Sequence, residues 1–270
     1  MTEYNRIPAR QVIIHGDCWP VVNTVAHLTR KGLSGCECET THTLSVLQQQ
    51  VQRKPEAILL LCLRPREHIF LFYALKQALL YHPVLVISDE LLFSDRVVLH
   101  CWGELPAMLH QEVAATLSRT RQPEKLSSAV KNKLDGFLAD PKPATGLFAI
   151  PPVFNNPKRL MNYMELLMYR ATVNCGVTPD QQKLLEEIHN GQYSMPGLKK
   201  KLNKNEKQIW QDKYRLLVKL GMKNRLHELF YGTRLSESQQ RTPFIMPGDT
   251  ERNVTFRAGQ DRTLSELNHV

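Results

Sequence analysis

The chain lacks any apolar run of membrane length. Its longest, Ala57 to Leu63 (AILLLCL), is strand-sized, far short of the roughly 18 residues a spanning helix needs. The opening residues, MTEYNRIPAR, are polar and lack the apolar stretch of a secretory leader, so a cytoplasmic, non-membrane protein is expected. There is no cysteine framework either. The six cysteines (Cys18, Cys36, Cys38, Cys62, Cys101 and Cys175) are scattered, and in a cytoplasmic chain they should be reduced. Cys36, Cys38 and His42 are residue types that zinc accepts, but the second thiol pair of a structural site is absent. Small buried thiols on a strand are expected there, with no metal and no other cofactor. No internal repeat is visible.

What is present is enough apolar material for real cores, 42% of 270 residues, which excludes wholesale disorder and allows one large domain or two modest ones. Lys and Arg number 35 against 26 Asp and Glu, a formal net charge of +9. That balance permits a polyanionic partner without proving one.

From Gln11 to about Arg119 the apolar segments alternate between strand and helix lengths. Residues 11–15 (QVIIH), 36–41, 57–63, 84–88 (VLVIS) and 96–101 (RVVLHC) read as five strands. Helical spacing separates them over 21–31, at Leu44, Leu47 and Val51, over 70–81, and finally over 103–118. This alternation predicts a doubly wound, largely parallel α/β sheet, whose sites form at the C-terminal ends of the strands. Residues 120–157 carry Pro123, Pro141, Pro143, Pro151, Pro152 and Pro157 and read as a linker with a short helix near 127–138. A helical domain is expected over 158–232, and a flexible tail over 233–270.

Within that helical domain Leu160 to Arg170 is apolar around most of its circumference. Thr178 and Pro179 suit an N-cap and first turn, and Asn190-Gly191 a left-handed stop. A short helix over 195–202 precedes a longer one over 206–220, which buries Ile209, Leu216, Leu217 and Leu220. Its opposite face offers Lys207, Gln208, Trp210, Gln211, Lys213 and Tyr214. Lysine and glutamine can reach phosphates and base edges, so this face is the candidate for nucleic acid. Between 177 and 231 lie eleven Lys and Arg against six Asp and Glu, which places +5 of the net charge here.

The segment Val177-Thr-Pro-Asp-Gln-Gln-Lys-Leu-Leu-Glu-Glu-Ile-His-Asn-Gly191 resembles the opening of the LuxR/NarL (FixJ)-type helix-turn-helix domain. Lys207-Gln-Ile-Trp-Gln-Asp-Lys-Tyr214 and Val218-Lys-Leu-Gly-Met222 are similar to its recognition helix and ending. The resemblance covers about 55 residues. It implies major-groove binding of double-stranded DNA, with Lys207, Gln208, Trp210, Gln211 and Lys213 at the contacting positions. The chain departs from the pattern at Lys199, where a small Ala is usual, and at Asp212, which would set a carboxylate near phosphates.

The same family often carries a receiver domain, which the five-fold alternation before Arg119 resembles, a flavodoxin-like fold. A working receiver needs a carboxylate pair for Mg²⁺, an Asp acceptor and a Lys. The corresponding strand ends offer His15 and a single Asp17, then Cys62 with no Asp beside it, then Ser88, and no Lys after the last strand. The resemblance therefore implies a pseudo-receiver that is not phosphorylated. His15, Asp17 and Cys62 also compose a nucleophile set on paper, but a core cysteine and a loop histidine are the simpler reading, and no enzyme is expected. The expectation is a bacterial transcription regulator, a homodimer or a heterodimer with a related regulator. The alternative is an adaptor or anti-regulator that has lost DNA binding.

Overall fold

The computed structural model describes residues 10–33, 35–113, 133–151, 153–191, 194–223 and 226–245. Five strands, β1 (Gln11–Gly16), β2 (Glu37–Thr41), β3 (Ile58–Cys62), β4 (Val84–Ser88) and β5 (Ala107–Leu109), form one sheet of order β2-β1-β3-β4-β5. All four pairings are parallel. Every residue of β3 and β4 is buried, as continuous apolar runs covered on both faces must be. Helices α1 (Trp19–Gly32) and α2 (Leu44–Arg53) follow the first two strands. The chain order reverses between β1 and β3, which opens a crevice at their C-terminal ends. There Gly16 pairs with Cys62, and a Cβ on Gly16 would lie 2.4 Å from the Cys62 carbonyl oxygen, so only glycine fits.

Two elements differ from the sequence reading. Residues 70–81 are not one helix but α3 (Ile69–Ala74) and α4 (Ala78–Tyr81), after a 3₁₀ turn over Pro65–Glu67. The expected fifth strand at 96–101 is helix α5 (Phe93–Cys101), and β5 lies later, within the expected last helix. Asp95 decides the helix at 93–101: its carboxylate accepts from the backbone N–H of Leu92 and starts α5 there. Val97 and Val98 gave the segment its strand-like look, yet both are buried helix residues. Helical conformation begins again at residues 110–113; the rest of the expected 103–118 helix lies outside the described residues.

Beyond the sheet come α6 (Lys133–Ala139) and α7 (Pro157–Asn174), the latter capped by the Asn156 side chain, which accepts from the N–H groups of Lys158 and Arg159. Then follow α8 (Pro179–His189), α9 (Met195–Leu202), α10 (Glu206–Lys219) and α11 (Leu226–Gly232). The fold is thus an α/β receiver-like domain followed by an all-α helix-turn-helix domain. One continuous cluster of buried side chains runs from Leu59 and Leu61 of β3 through Trp102 and Met164 into Leu184 and Leu216, so the two domains share a core.

Residues 233–245, expected as the start of a flexible tail, return to the sheet domain. Leu235 and Thr242 are buried, and Phe244 lies 5.4 Å from the Phe70 ring and 5.7 Å from Tyr73, stacked on the latter. The aromatic anchor explains the order: a polar stretch with one large ring has little periodicity but a definite place to bury it. Residues 246–270 lie outside the described residues.

Candidate nucleic-acid interface and the strand-end cleft

The helix-turn-helix is built by caps that the sequence spells out. Thr178 accepts from the Gln181 N–H at 3.3 Å, and the Gln181 side chain accepts from the Thr178 N–H at 3.1 Å, a reciprocal capping box. Asn205 and Gln208 repeat the device at the start of α10, at 2.9 and 3.0 Å. Between α9 and α10 the chain turns through Asn203 at φ 50°, a left-handed conformation that Asn tolerates. Ile209, Leu216, Leu217 and Leu220 are buried. They fix one side of α10 against the core and turn the other to solvent.

The outward stripe is Lys207, Gln211, Tyr214 and Val218, spaced i, i+4, i+7 and i+11 on one helix face. Tyr214 is 62% and Val218 60% exposed. Of the residues singled out by sequence, Lys207 and Gln211 occupy this stripe and Trp210 flanks it at 48% exposure. Gln208 is exposed, but its side-chain oxygen is engaged by the Asn205 N–H. Lys213 lies half-buried with its ammonium 4.7 Å from the centre of the Trp210 ring. Burial pulls its pKa down. Tyr214 belongs to the candidate face read from sequence, though not to the five contacting positions; Val218 was not on that face, although the spacing alone points to it.

The two departures from the family pattern have local explanations. Asp212 is half-buried and bonded to Lys204 Nζ at 2.7 Å, and the same ammonium bonds Asp180 at 2.8 Å. Lys204 therefore pins α10 to the start of α8 and shares its charge between Asp180 and Asp212, and the two carboxylates hold its own pKa up. Lys199 is exposed. Together with Lys200, Asn203, Lys204 and Asn205 it lines an open groove of about 560 Å³ beside the turn.

The strand-end cleft is a different chemistry. His15 Nδ1 lies 2.9 Å from Thr41 Oγ1, and burial, with the charges of His68 and His42, lowers its pKa to about 4. Cys62 is buried, which pushes its thiol up to about 12. A protonated thiol in apolar surroundings is no nucleophile. Ser88 donates to the Glu90 carbonyl at 2.7 Å. Asp17 is near enough to act electrostatically on both His15 and Cys62, but no hydrogen bond joins the four receiver-position residues to one another among the described residues.

Asp17 is instead occupied from within the chain. Arg241, from the returning segment, reaches Asp17 at 2.5 Å and Glu67 at 2.7 Å, and its backbone N–H donates to the Glu67 carbonyl at 2.8 Å. His68, held to Thr242 at 2.9 Å, stands 3.6 Å from Asp17. These neighbours, His68 first and Arg241 after it, hold the Asp17 carboxyl far below the usual carboxylate range. Gln240 bridges the Ile69 N–H and the Arg66 carbonyl, each at 2.8 Å. Next to this strap, Arg64 forks onto Asp89 at 2.9 and 2.5 Å, and Arg66 is buried against Asp95 at 2.5 Å. No sequence motif announces these pairs, because their partners lie between 25 and 224 residues apart. Among the described residues no group of three His, Cys, Asp or Glu could hold a metal ion. None of the described helices is long and apolar enough to cross a membrane.

No family model matches the chain, and no curated protein matches it. Solved structures do. A structure of two RcsB dimers bound to two parallel DNAs is 15% identical with a TM-score of 0.49, covering 84% of this chain and 100% of that one. The complex of the two-component response regulator RcsB with DNA has the same identity and coverages and a TM-score of 0.48. RcsB from Salmonella enterica serovar Typhimurium, bound to promoter rprA in the presence of phosphomimetic BeF3-, is 16% identical with a TM-score of 0.46, covering 84% of this chain and 100% of that one.

Proposed function

We propose that this chain is a DNA-binding transcription regulator whose α10 enters the major groove and whose receiver-like domain acts without phosphoryl transfer. The observation that carries the reading is the outward face of α10. Lys207 and Gln211 stand free on a helix rigidly backed by Ile209, Leu216 and Leu217, with Lys199 and Lys200 beside the turn. The ion pair of Asp212 with Lys204, which Asp180 shares, lessens the repulsion that this carboxylate would exert on a phosphate. In the other domain, Arg241 on Asp17 and the absence of an Asp at 62–64 support independence from phosphorylation. Regulation then runs through abundance or pairing, with a second copy or a related regulator.

The test is a genome-wide binding profile of the tagged protein, followed by affinity measurements on an enriched site at several salt concentrations. Enriched sites bound with a steep salt dependence are expected, and neither feature survives if the reading is wrong. A second reading, an adaptor or anti-regulator that has lost DNA binding, is favoured by Trp210, Tyr214 and Val218, whose exposed apolar surface suits a protein partner as well. In that case Tyr214→Ala abolishes activity in cells while Lys207→Ala leaves it intact.

A further inference from the structure

A cavity lies where the domains meet, apart from the strand-end cleft and touching the candidate nucleic-acid face only at Val218. It has a volume of about 660 Å³, within the range of small-molecule sites, and domain junctions are where such sites concentrate. Three elements wall it: α5 of the sheet domain, the second half of α7, and the last turn of α10. Phe93, Val97, Leu167, Ala171 and Val218 supply an apolar lining. Arg96, Arg170 and Lys219 supply cations, and no lining residue is acidic.

These cations are not equivalent. Lys219 donates to the Gly176 carbonyl at 2.5 Å and to Gln181 at 2.9 Å, and so closes the cavity's edge as a structural tie. Arg96 gives one nitrogen to the Leu220 and Gly221 carbonyls and lies over the Phe93 ring, leaving its other N–H groups unassigned. Arg170 has no hydrogen bond or ion pair among the described residues. This contrasts with the strand-end cleft of the same chain, where each arginine has its carboxylate.

An apolar trough with two arginines at its rim and no counter-charge is complementary to one kind of occupant. We infer that the interdomain cavity binds a small amphipathic organic anion, a carboxylate carrying an alkyl or aryl group. The apolar portion lies against Phe93, Leu167 and Val218, and the carboxylate accepts from Arg170 and Arg96, whose planar forks match its two oxygens. The proposal is independent of DNA binding. A ligand in this place touches both domains and the end of α10.

Octanoate, with n-octanol as its uncharged counterpart, is the probe. Titrated calorimetrically into the full-length protein, octanoate should bind saturably at one site per chain, and octanol at least about tenfold more weakly. Arg170→Ala, at an exposed residue with nothing to lose on folding, should weaken octanoate about tenfold and leave octanol unchanged. Leu167→Trp, which fills the trough, should abolish both, with folding checked by circular dichroism. Absence of saturable octanoate binding overturns the proposal. So does equal binding of octanol, which marks a mere apolar patch, or an unaltered Arg170→Ala.

Discussion

The strand-end cleft and the face of α10 spend positive charge in opposite ways. In the cleft, Arg64, Arg66 and Arg241 each clasp a carboxylate at 2.5 Å, and the charges cancel inside the molecule. On the helix-turn-helix, Lys199, Lys200, Lys207 and Arg215 stand in solvent, and Asp212, the carboxylate in the middle of α10, is held by Lys204. Matched charge at the sheet rigidifies. Unmatched charge on a rigid helix is available to something outside. The net +9 therefore divides by role, and the difference can be broken at either end.

The largest effect should follow from the buried pair. Asp95 is fully buried and accepts from Arg66 Nη1, the Arg66 N–H and the Leu92 N–H. Asp95→Ala removes the only fully buried carboxylate of Arg66, a residue just 2% exposed, leaving its guanidinium with Glu90 and Glu67 alone, and also removes the acceptor of the Leu92 N–H. A loss of about 3 to 5 kcal/mol in urea unfolding is expected, a large share of a typical domain's stability. Lys207→Ala in the same assay should stay within about 0.5 kcal/mol of wild type. Equal losses would erase the distinction between structural and available charge.

Next in size is a pH effect carried by burial. The pKa of His15 is lowered from 6.5 to about 4, so the folded state disfavours its proton while the unfolded chain accepts it. Its contribution is complete above about pH 6.5 and is lost as pH falls toward 4. At pH 5 the loss amounts to about 2 kcal/mol. Comparing wild type with His15→Gln by urea midpoint at pH 7.5 and pH 5 isolates this term, since only the wild type should lose it. His189 in the other domain is lowered to about 4 as well, by burial and then by Arg234. His189→Gln should act in the same direction, which shows that burial, unlike ion pairing, is shared by both regions.

A smaller effect tests the available charge itself. Removing one phosphate-contacting lysine should lower the slope of log affinity against log salt by about one, with little change in sequence preference. Lys207→Ala is expected to do this. Lys204→Ala should do more harm than its charge warrants, because it frees both Asp180 and Asp212.

How much of this was legible in the sequence follows from the range of the interactions. Thr178 was legible as a cap because its bond closes within three residues; the equally local Asn205–Gln208 box was missed, Gln208 being read as a DNA contact, and the helix-turn-helix was read from its resemblance to a family. β3 and β4 announced themselves by unbroken apolar runs. The segment at Val97 and Val98 misled because six residues are too few to separate period 2 from period 3.6. The Arg241–Asp17 clasp was invisible for a different reason. Its partners are 224 residues apart, and nothing around Arg241 except Phe244 hints at a buried destination.

The smallest expected effect concerns that clasp. Arg241 and Asp17 are 53% and 33% exposed at the side chain, so solvent screens the pair. Arg241→Ala should cost no more than about 1 kcal/mol in global unfolding. Its local consequence should be clearer. The strap's Arg241 N–H donates to the Glu67 carbonyl, and the Ile69 N–H, at the start of α3, donates to the strap's Gln240 side chain; neither bond is a rung of a helix or strand ladder. Hydrogen exchange at these two amides should accelerate in Arg241→Ala, while amides of β3 keep their protection. Phe244→Ala, which removes the apolar anchor against Phe70 and Tyr73, should release the same amides further. If Arg241→Ala alone releases them fully, the strap is held by charge; if only Phe244→Ala does, the clasp neutralises Asp17 without fastening the segment. The first outcome would make the cleft's matched charge a fastener of the two domains, and the second would reduce it to a counter-ion that keeps Asp17 from other cations.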